Sequence, residues 1–126
     1  KKPIKIFNNG KLKRDFTFID DIVEGVYRCC FKKENIKNTC KDSYDSAPFK
    51  IFNIGNGNPI ELMEFINALE DKLNMKSEKI FLPMQKGDVY ETFADTKALE
   101  KWVNYKAKVK IDLGLEKLVK WYKNYY

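Results

Sequence analysis

The sequence predicts a small mixed α/β fold, an α+β arrangement of short strands and about four helices. Two patterns predict it: short apolar runs that end at turn-forming residues, and longer stretches in which apolar residues recur at helical spacing. A length of 126 residues fits a single domain spanning 1–126. The predicted strands are too few and too short for a self-sufficient doubly wound sheet, so we expect them to form the edge of a larger structure.

The first part of the chain is predicted to hold two strands, one helix and a loop. Residues 4–7 form a short apolar strand before the turn signal at 8–10, and a second extended stretch over 14–18 follows within hairpin distance. A helix begins near Asp20, which is placed to cap it. Its apolar stripe comprises Ile22, Val23, Val26, Tyr27, Cys30 and Phe31. Residues 32–48 are polar and without period, which predicts a surface loop.

The second part is predicted to alternate strand and helix and to close with two helices. The predicted elements are a strand over 49–54, an amphipathic helix over 60–74, a strand over 79–83, a polar loop over 85–92, and helices capped by Asp95 and Asp112. Gly55-Asn56-Gly57 is predicted to make a tight turn in which glycine tolerates a positive φ.

The composition argues against several classes of function. No apolar run approaches the ~18 residues of a membrane span, and no secretory signal is present. The three cysteines form no CxxC pair, which favours free thiols and a cytoplasmic location. The chain has no histidine, so we expect neither a metal site nor a catalytic residue in it. Because it does not begin with Met, we expect it to start inside a longer protein.

The net charge of +6 admits more than one partner. A basic surface can meet nucleic acid, a membrane face or an anionic small molecule. The lysines cluster separately near the two ends of the chain, and no nucleic-acid-binding motif is present. We therefore expect solvated lysines and neither a nucleic-acid nor a membrane partner, with a basic nucleic-acid-binding module as the alternative.

Two segments carry candidate binding residues. Arg14 is one of only two arginines in a lysine-rich chain, and its planar guanidinium can grip a phosphate bidentately, which lysine cannot do. An ion pair with Asp15 or Asp20 is the alternative for this side chain. In the loop Gln85-Lys86-Gly87-Asp88, a turn at Gly87 can aim Gln85 and Asp88 to one side, where amide and carboxylate groups suit sugar hydroxyls. A plain turn is the alternative there.

Five blocks in a fixed order carry a resemblance. They are Arg14-Asp-Phe-Thr-Phe-Ile-Asp-Asp-Ile-Val-Glu-Gly-Val, Phe52-Asn-Ile-Gly-Asn, Leu62-Met-Glu-Phe-Ile-Asn-Ala-Leu-Glu, Leu82-Pro-Met-Gln-Lys-Gly-Asp-Val-Tyr-Glu-Thr-Phe-Ala-Asp and Trp121-Tyr-Lys-Asn-Tyr-Tyr. Together they resemble the C-terminal, substrate-binding part of extended short-chain dehydrogenases/reductases, in the NAD-dependent epimerase/dehydratase family. The UDP-glucuronate 4-epimerase group of bacterial capsule and lipopolysaccharide pathways is the most similar. The fold implied is the small C-terminal lobe of such an enzyme without its Rossmann domain.

The resemblance implies that the chemistry lies outside this chain. In the family an N-terminal Rossmann domain binds NAD, and a Tyr-x-x-x-Lys pair transfers protons. No tyrosine here has a lysine four residues later, and Gly55-Asn56-Gly57 lacks the third glycine of a dinucleotide loop. We expect no bound cofactor in this chain, NAD and a homodimer in the full-length enzyme, and no activity of the fragment alone. A nucleotide-sugar dehydratase or decarboxylase relative is the alternative.

The resemblance also assigns substrate-binding residues. Lys5, Ile6 and Phe7 align with the segment along the uracil, where main-chain groups read the base edge and Phe7 stacks on it. Arg14 aligns with the arginine that holds the diphosphate. Gln85 aligns with a position often held by Arg in UDP-galactose 4-epimerases, and Asp88 with the carboxylate that meets the ribose or nearby groups. Lys86 stands where the group has Pro, residues 32–48 match its variable insertion, and Trp102-Val103-Asn104-Tyr105 replaces a Leu-Gly-Tyr turn.

Overall fold

The structure is a computed structural model that describes residues 2–32 and 50–126. The predicted surface loop at 32–48 lies, except for its first residue, outside this range. The described elements are β1 (Ile4–Ile6), β2 (Lys13–Arg14), α1 (Ile19–Phe31), β3 (Ile60–Glu61), α2 (Leu62–Leu73), β4 (Lys79–Phe81), α3 (Lys97–Val103) and α4 (Ile111–Tyr125). Four helices and short strands in the described ranges confirm the predicted mixed α/β fold.

The strands form two pairs that sequence order does not indicate. β1 runs parallel to β4 with Lys5 opposite Ile80, and β2 runs antiparallel to β3 with Arg14 opposite Ile60. The predicted hairpin between 4–7 and 14–18 is therefore wrong. Asn8, Asn9 and Gly10 all have positive φ, and the Asn9 amide donates to the Leu82 carbonyl at 3.0 Å. This left-handed turn carries the chain away from β1.

The predicted strand over 49–54 is also absent from the part of it that is described. Residues 50–54 have no regular secondary structure, and Ile51 is 83% exposed. A strand exists only where a neighbouring strand satisfies its backbone N–H and C=O groups. No backbone hydrogen bond joins 50–54 to the rest of the described chain, so these apolar residues lack the neighbour that would make them a strand.

Two of the three predicted helix caps are wrong. Phe18 precedes α1 and Lys110 precedes α4, and neither helix start has a side-chain cap. Asp20 and Asp112 instead lie in the first turns, where carboxylates interact favourably with the helix dipole. Before α3, Asp95 Oδ1 accepts a hydrogen bond from the Lys97 amide at 3.2 Å, close to its predicted role, although Thr96 is the capping position.

A compact apolar cluster holds α1, α3 and the segment before the glycine turn together. Leu99, Val103 and Tyr105 are buried, and Phe52, Ile54, Cys29 and Trp102 pack around them. Gly25 lies against this cluster, since a Cβ there would make ordinary van der Waals contact with Ile54 at 3.5 Å and with Leu99 at 3.7 Å. The cluster fixes the inner face of α1 against the chain that follows it.

A buried carboxylate supplies the polar connection to this cluster. Asp21 accepts hydrogen bonds from the Tyr105 hydroxyl at 2.6 Å and from the Val109 amide at 2.9 Å. The Lys108 amide lies 3.1 Å from both of its oxygens. Asp21 thereby ties the first turn of α1 to the segment that leads into α4.

Candidate functional site

Residues 82–92, which contain the predicted loop, lie close in space to both β1 and β2. This stretch leaves β4, which is paired with β1, and then runs alongside β2. The Lys13 amide donates to the Tyr90 carbonyl at 2.8 Å, and the Thr92 amide donates to the Lys13 carbonyl at 3.3 Å. The loop therefore lies next to both strands, although many residues separate it from them in sequence.

Arg14 and Asp88 meet directly at this junction. An Nη atom of Arg14 lies 2.7 Å from Asp88 Oδ1, and both side chains are partly buried, with 22% and 30% exposed. The other Nη atom donates to the carbonyls of Lys13 at 2.8 Å and Tyr90 at 3.2 Å. Neither alternative partner of Arg14, Asp15 or Asp20, is used. A charge-assisted pair with these additional acceptors fixes the plane of the guanidinium.

The pair leaves polar groups unused on both side chains. Within residues 2–32 and 50–126, Arg14 Nε and Asp88 Oδ2 make no hydrogen bond. The second arginine of the chain, Arg28, is engaged elsewhere, with Glu24 and with the Asn104 carbonyl at 3.3 Å. Among the described residues, Arg14 thus combines a free guanidinium N–H with a free oxygen on the neighbouring carboxylate.

The loop before Asp88 has the predicted turn. The Asp88 amide donates to the Gln85 carbonyl at 3.2 Å, and Gly87 has a φ of +85°. No heavy atom lies within 4 Å of the position of a Cβ at Gly87, so the turn projects into open space. Gln85 is exposed and Asp88 half-buried, and the turn holds them at its two ends.

In the β1 segment, main-chain groups are available to a ligand, whereas the side chain of Ile6 is not. Ile6 is only 1% exposed, so its side chain belongs to the core, whereas Lys5 is exposed and Phe7 half-buried. The Ile4 amide and the Ile6 carbonyl face β4, bonding to Glu78 and Leu82. In a parallel ladder the intervening residue faces the other way, so the N–H and C=O of Lys5 lie on the free edge of β1.

Asp15 is a site-forming residue that the sequence analysis missed. Its carboxylate accepts hydrogen bonds from the amides of Gly57 at 3.0 Å, Ala94 at 3.1 Å and Asn58 at 3.3 Å. Thr92 Oγ1 accepts from the Asp15 amide at 3.1 Å. Asp15 thus anchors β2, and with it Arg14, to the glycine turn and to the segment after residue 92. No signal in the sequence marked Asp15, because the amides from which it accepts lie 42, 43 and 79 positions away along the chain.

Thr17 completes this anchoring. Its Oγ1 accepts a hydrogen bond from the Asn56 amide at 3.0 Å. Gly57 has the predicted positive φ of +67°, and Gly55 is required by close approach, since a Cβ there would lie 2.4 Å from the Ala94 Cβ. The amides of residues 56–58 are therefore all bonded to side chains of the Arg14 segment.

Neither a metal site nor a membrane-spanning helix is found in the described residues. No group of three or more His, Cys, Asp or Glu side chains there has the arrangement of a metal site. Among the helices of residues 2–32 and 50–126, none is both long enough and apolar enough to cross a bilayer.

Comparisons with known proteins agree on one family. No protein-family model matches the chain. Protein CapI of Staphylococcus aureus is 40% identical over 129 residues, covering 98% of this chain and 38% of CapI. A probable UDP-glucuronate 4-epimerase of Rhizobium meliloti is 36% identical over 131 residues, covering 99% of this chain and 38% of that protein.

A solved structure gives the same answer. UDP-glucuronic acid 4-epimerase from Bacillus cereus, in complex with UDP-glucuronic acid and NAD, superposes with a TM-score of 0.82 at 29% identity, covering 99% of this chain and 36% of that chain. The chain thus spans well under half the length of the relatives it matches. It belongs to the extended short-chain dehydrogenase/reductase family and corresponds to the C-terminal part of the UDP-glucuronate 4-epimerases in it.

Proposed function

We propose that this chain is the UDP-sugar-binding lobe of an NAD-dependent nucleotide-sugar 4-epimerase of the UDP-glucuronate/UDP-galacturonate type. We assign that enzyme to surface polysaccharide biosynthesis in the cytoplasm, as a homodimer at full length. The observation that carries the proposal is the contact of Arg14 with Asp88, two residues 74 positions apart in sequence. Relatives that bind UDP-sugars share this part of the fold.

The diphosphate is assigned to Arg14. Its guanidinium is held in one plane by Asp88 and two carbonyls, and Nε is left for an incoming anion. Charge-assisted hydrogen bonds from a guanidinium to phosphate are short and strong. Since the plane is set before the ligand arrives, less side-chain entropy is lost on binding.

The nucleoside is assigned to the neighbouring groups. The N–H and C=O of Lys5 on the free edge of β1 match the acceptor and donor of a uracil edge, and Phe7 can stack on the base. Asp88 Oδ2 and the Gln85 amide supply an acceptor and a donor–acceptor pair for ribose hydroxyls. Ile6 contributes only through its position in β1, because its side chain is buried.

The glycine turn that the structure describes does not fit NAD. A dinucleotide site holds the pyrophosphate on free backbone amides of a glycine-rich turn. The glycine turn here has its amides at residues 56–58 bonded to Thr17 and Asp15. In our proposal NAD and the proton-transferring pair reside in the N-terminal part that the relatives possess, and this chain alone does not turn over sugar.

A titration tests the nucleotide site. UDP and UDP-glucuronate are added to the isotope-labelled chain, and amide shifts are followed by NMR. We expect shifts at Lys5, Phe7, Arg14 and Asp88, and Arg14→Gln should weaken UDP binding about tenfold or more, equivalent to ~1.4 kcal/mol. Arg28→Gln, the matched control, should leave binding unchanged. Shifts confined to other residues, or equal binding by Arg14→Gln, would contradict the assigned site.

An activity assay tests the proposal that this chain binds the sugar nucleotide while the N-terminal part performs the chemistry. The chain alone, supplied with NAD and UDP-glucuronate, should form no UDP-galacturonate. Co-expression with the complementary N-terminal portion of CapI should yield activity that Arg14→Gln lowers. Turnover by the chain alone would show that the proposed separation of binding and chemistry is wrong.

A further inference from the structure

The last residues of the chain form an exposed aromatic patch. We call residues 118–126 the aromatic end of α4. This short segment holds four of the nine Trp and Tyr residues of the chain. The four rings, which belong to Trp121, Tyr122, Tyr125 and Tyr126, are between 51% and 82% exposed, and Leu118 is 41% exposed. Exposed apolar patches mark interaction surfaces.

The aromatic end differs from the first half of the same helix, which is packed. Leu115 and Val119 are buried, and a Cβ at Gly114 would lie 3.2 Å from the Phe18 ring. Every residue after Val119 is exposed. The aromatic end is therefore the part of α4 that the described chain leaves uncovered.

The four rings form one continuous patch. Trp121 stacks on Tyr125 with 5.6 Å between the ring centroids, and Tyr122 lies 5.1 Å from Tyr126. Tyr125 and Tyr126 join the two pairs at 5.0 Å. Leu118 lies three and seven residues before Trp121 and Tyr125, so it shares their side of the helix.

The charges near the patch are all positive. Residues 117–126 contain Lys117, Lys120 and Lys123 and no acidic residue. Lys117 donates to Asp20 at 2.8 Å. Within residues 2–32 and 50–126, Lys120 and Lys123 make no ion pair. At 3.6 residues per turn these two lysines lie on the side of the helix opposite Leu118 and Tyr125.

This combination favours an anionic lipid surface as the occupant. Trp and Tyr are enriched where a membrane meets water. A helix with such rings on one side and lysines on the other lies in that interface and is attracted by anionic lipids. A second copy of the chain would bring like charges together, since each copy carries +6. Nucleic acid needs open ring faces on which its bases stack, whereas Trp121 and Tyr125 stack on each other.

We propose that the aromatic end of α4 docks on the surface of an anionic phospholipid bilayer. The rings lie at the level of the headgroups, and Lys120 and Lys123 attract the anionic lipids. The proposal goes beyond the proposed function and does not rest on the nucleotide site. It departs from our expectation of no membrane partner, because the sequence does not show that the rings are exposed together beside lysines without an ion-pair partner.

Vesicle binding tests the proposal. The chain is sedimented with vesicles of phosphatidylcholine alone or of an equimolar mixture of phosphatidylcholine and phosphatidylglycerol. We expect binding to the mixture that weakens as salt is added, and little binding to phosphatidylcholine alone. Tryptophan emission should shift to the blue on binding, and Trp121→Phe should abolish that shift because the other tryptophan, Trp102, lies in the core cluster.

Two pairs of variants locate the contact. Lys120→Glu with Lys123→Glu should raise the lipid concentration for half-maximal binding about 30-fold or more. Lys97→Glu with Lys101→Glu makes the same change in net charge at exposed positions of α3 and should stay within about threefold. Tyr125→Ser, at a position 70% exposed, should raise the lipid concentration about tenfold.

Tyr27→Ser is the control for the aromatic contact, since Tyr27 is a tyrosine of α1 that is 58% exposed. It should leave vesicle binding within about threefold. Because all the substituted residues of the control and test variants are exposed, their urea midpoints should match that of the unmodified chain. A loss of vesicle binding at an unchanged midpoint is then a loss of the contact and not of the fold.

Four outcomes would overturn the proposal. They are equal binding to both kinds of vesicle, an equal loss in Tyr27→Ser and Tyr125→Ser, tighter binding of a single-stranded oligonucleotide that Tyr125→Ser weakens, and loss of vesicle binding on co-expression with the N-terminal portion of CapI. The last would make that portion the cover of the aromatic end. Because no nucleotide sugar is present, the vesicle results are independent of the UDP titration.

Discussion

Asn in place of Asp21 tests the connection between α1 and the segment that leads to α4. The carboxylate is 5% exposed and accepts hydrogen bonds from the Tyr105 hydroxyl and from the amides of Lys108 and Val109. Asp21→Asn keeps the shape and one acceptor oxygen. It removes the charge and turns the second oxygen into an NH₂ group that faces a backbone N–H.

The magnitude follows from the bonds that change. Hydrogen bonds to a charged group contribute about 1.5–3 kcal/mol each, and a buried donor left without a partner costs about 1–3 kcal/mol. With Oδ1 retained, the bonds from the Tyr105 hydroxyl and the Lys108 amide survive in weaker, neutral form, the Val109 amide faces the NH₂ group, and the neutral side chain avoids the desolvation cost of a carboxylate. We therefore expect Asp21→Asn to lower the free energy of unfolding by about 2–4 kcal/mol, a large share of the ~5–15 kcal/mol of an ordinary domain.

Urea unfolding followed by tryptophan fluorescence measures this loss, since Trp102 packs against the cluster that Asp21 supports. The neighbouring Asp20→Asn is the control. The Asp20 side chain is 59% exposed and, among the described residues, is bonded only to Lys117 at 2.8 Å, so Asp20→Asn should lower the free energy of unfolding by less than about 1 kcal/mol. A loss for Asp21→Asn no larger than that for Asp20→Asn would refute the reasoning.

The same carboxylate predicts a pH dependence. Burial raises the pKa of Asp21, but the hydrogen bonds from Tyr105, Val109 and Lys108 together lower it by more, so the pKa lies below its ordinary value of 3.8. A lowered pKa in the folded state stabilises the fold above 3.8, and this contribution is lost as the pH falls below that value. Asp21→Asn should remove it.

Three further predictions concern other parts of the chain. Glu70 is hydrogen-bonded by Lys79 and by Ser77, which lowers its pKa from 4.5 to about 2; its stabilising effect should therefore be present above pH 4.5 and fade toward pH 2, and the urea midpoint of Glu70→Gln should lack this change. Gly55→Ala places a Cβ 2.4 Å from Ala94 and should lower the free energy of unfolding by about 1–3 kcal/mol. Gly87→Ala meets open space at a φ of +85° and should cost only the ~1–2 kcal/mol of left-handed backbone strain. Equal urea midpoints for Gly55→Ala and the unmodified chain would show that the turn can move away from Ala94. Thr17→Val leaves the Asn56 amide without its acceptor and should lower stability by about 1 kcal/mol, with faster hydrogen exchange at that amide; unchanged exchange would mean that the hydrogen bond does not form.

Helix positions were predictable because helices are specified locally. The apolar spacing over 60–74 predicted α2 to within two residues at its start and one at its end, since α2 is Leu62–Leu73. The observed strand pairings were not predictable, because a strand is stabilised by residues distant in sequence. Lys5 lies opposite Ile80, and short apolar runs carry no information about such a partner.

The apolar stripe predicted for α1 over residues 22–31 illustrates a different limit. Its spacing correctly predicted a helix, but the side of the helix that meets the core was decided by Gly25 and Asp21, which are not apolar. Periodicity shows that one face of a helix is apolar, but it does not show which part of a protein covers that face. In the described fold most of the predicted stripe is exposed, namely Val23, Val26, Tyr27, Cys30 and Phe31, while Ile22 is half-buried.

The sequence by itself determined the mixed α/β class, the family and the candidate residues Arg14, Gln85 and Asp88, because motifs, glycine turns and helical spacing are encoded over short stretches. The tertiary structure decided that Arg14 pairs with Asp88, that Ile6 is buried, and that Asp15 anchors the site. Each of these depends on contacts between segments far apart in the chain, and such contacts form only when β1–β4 pairing and the path of residues 82–92 bring those segments together.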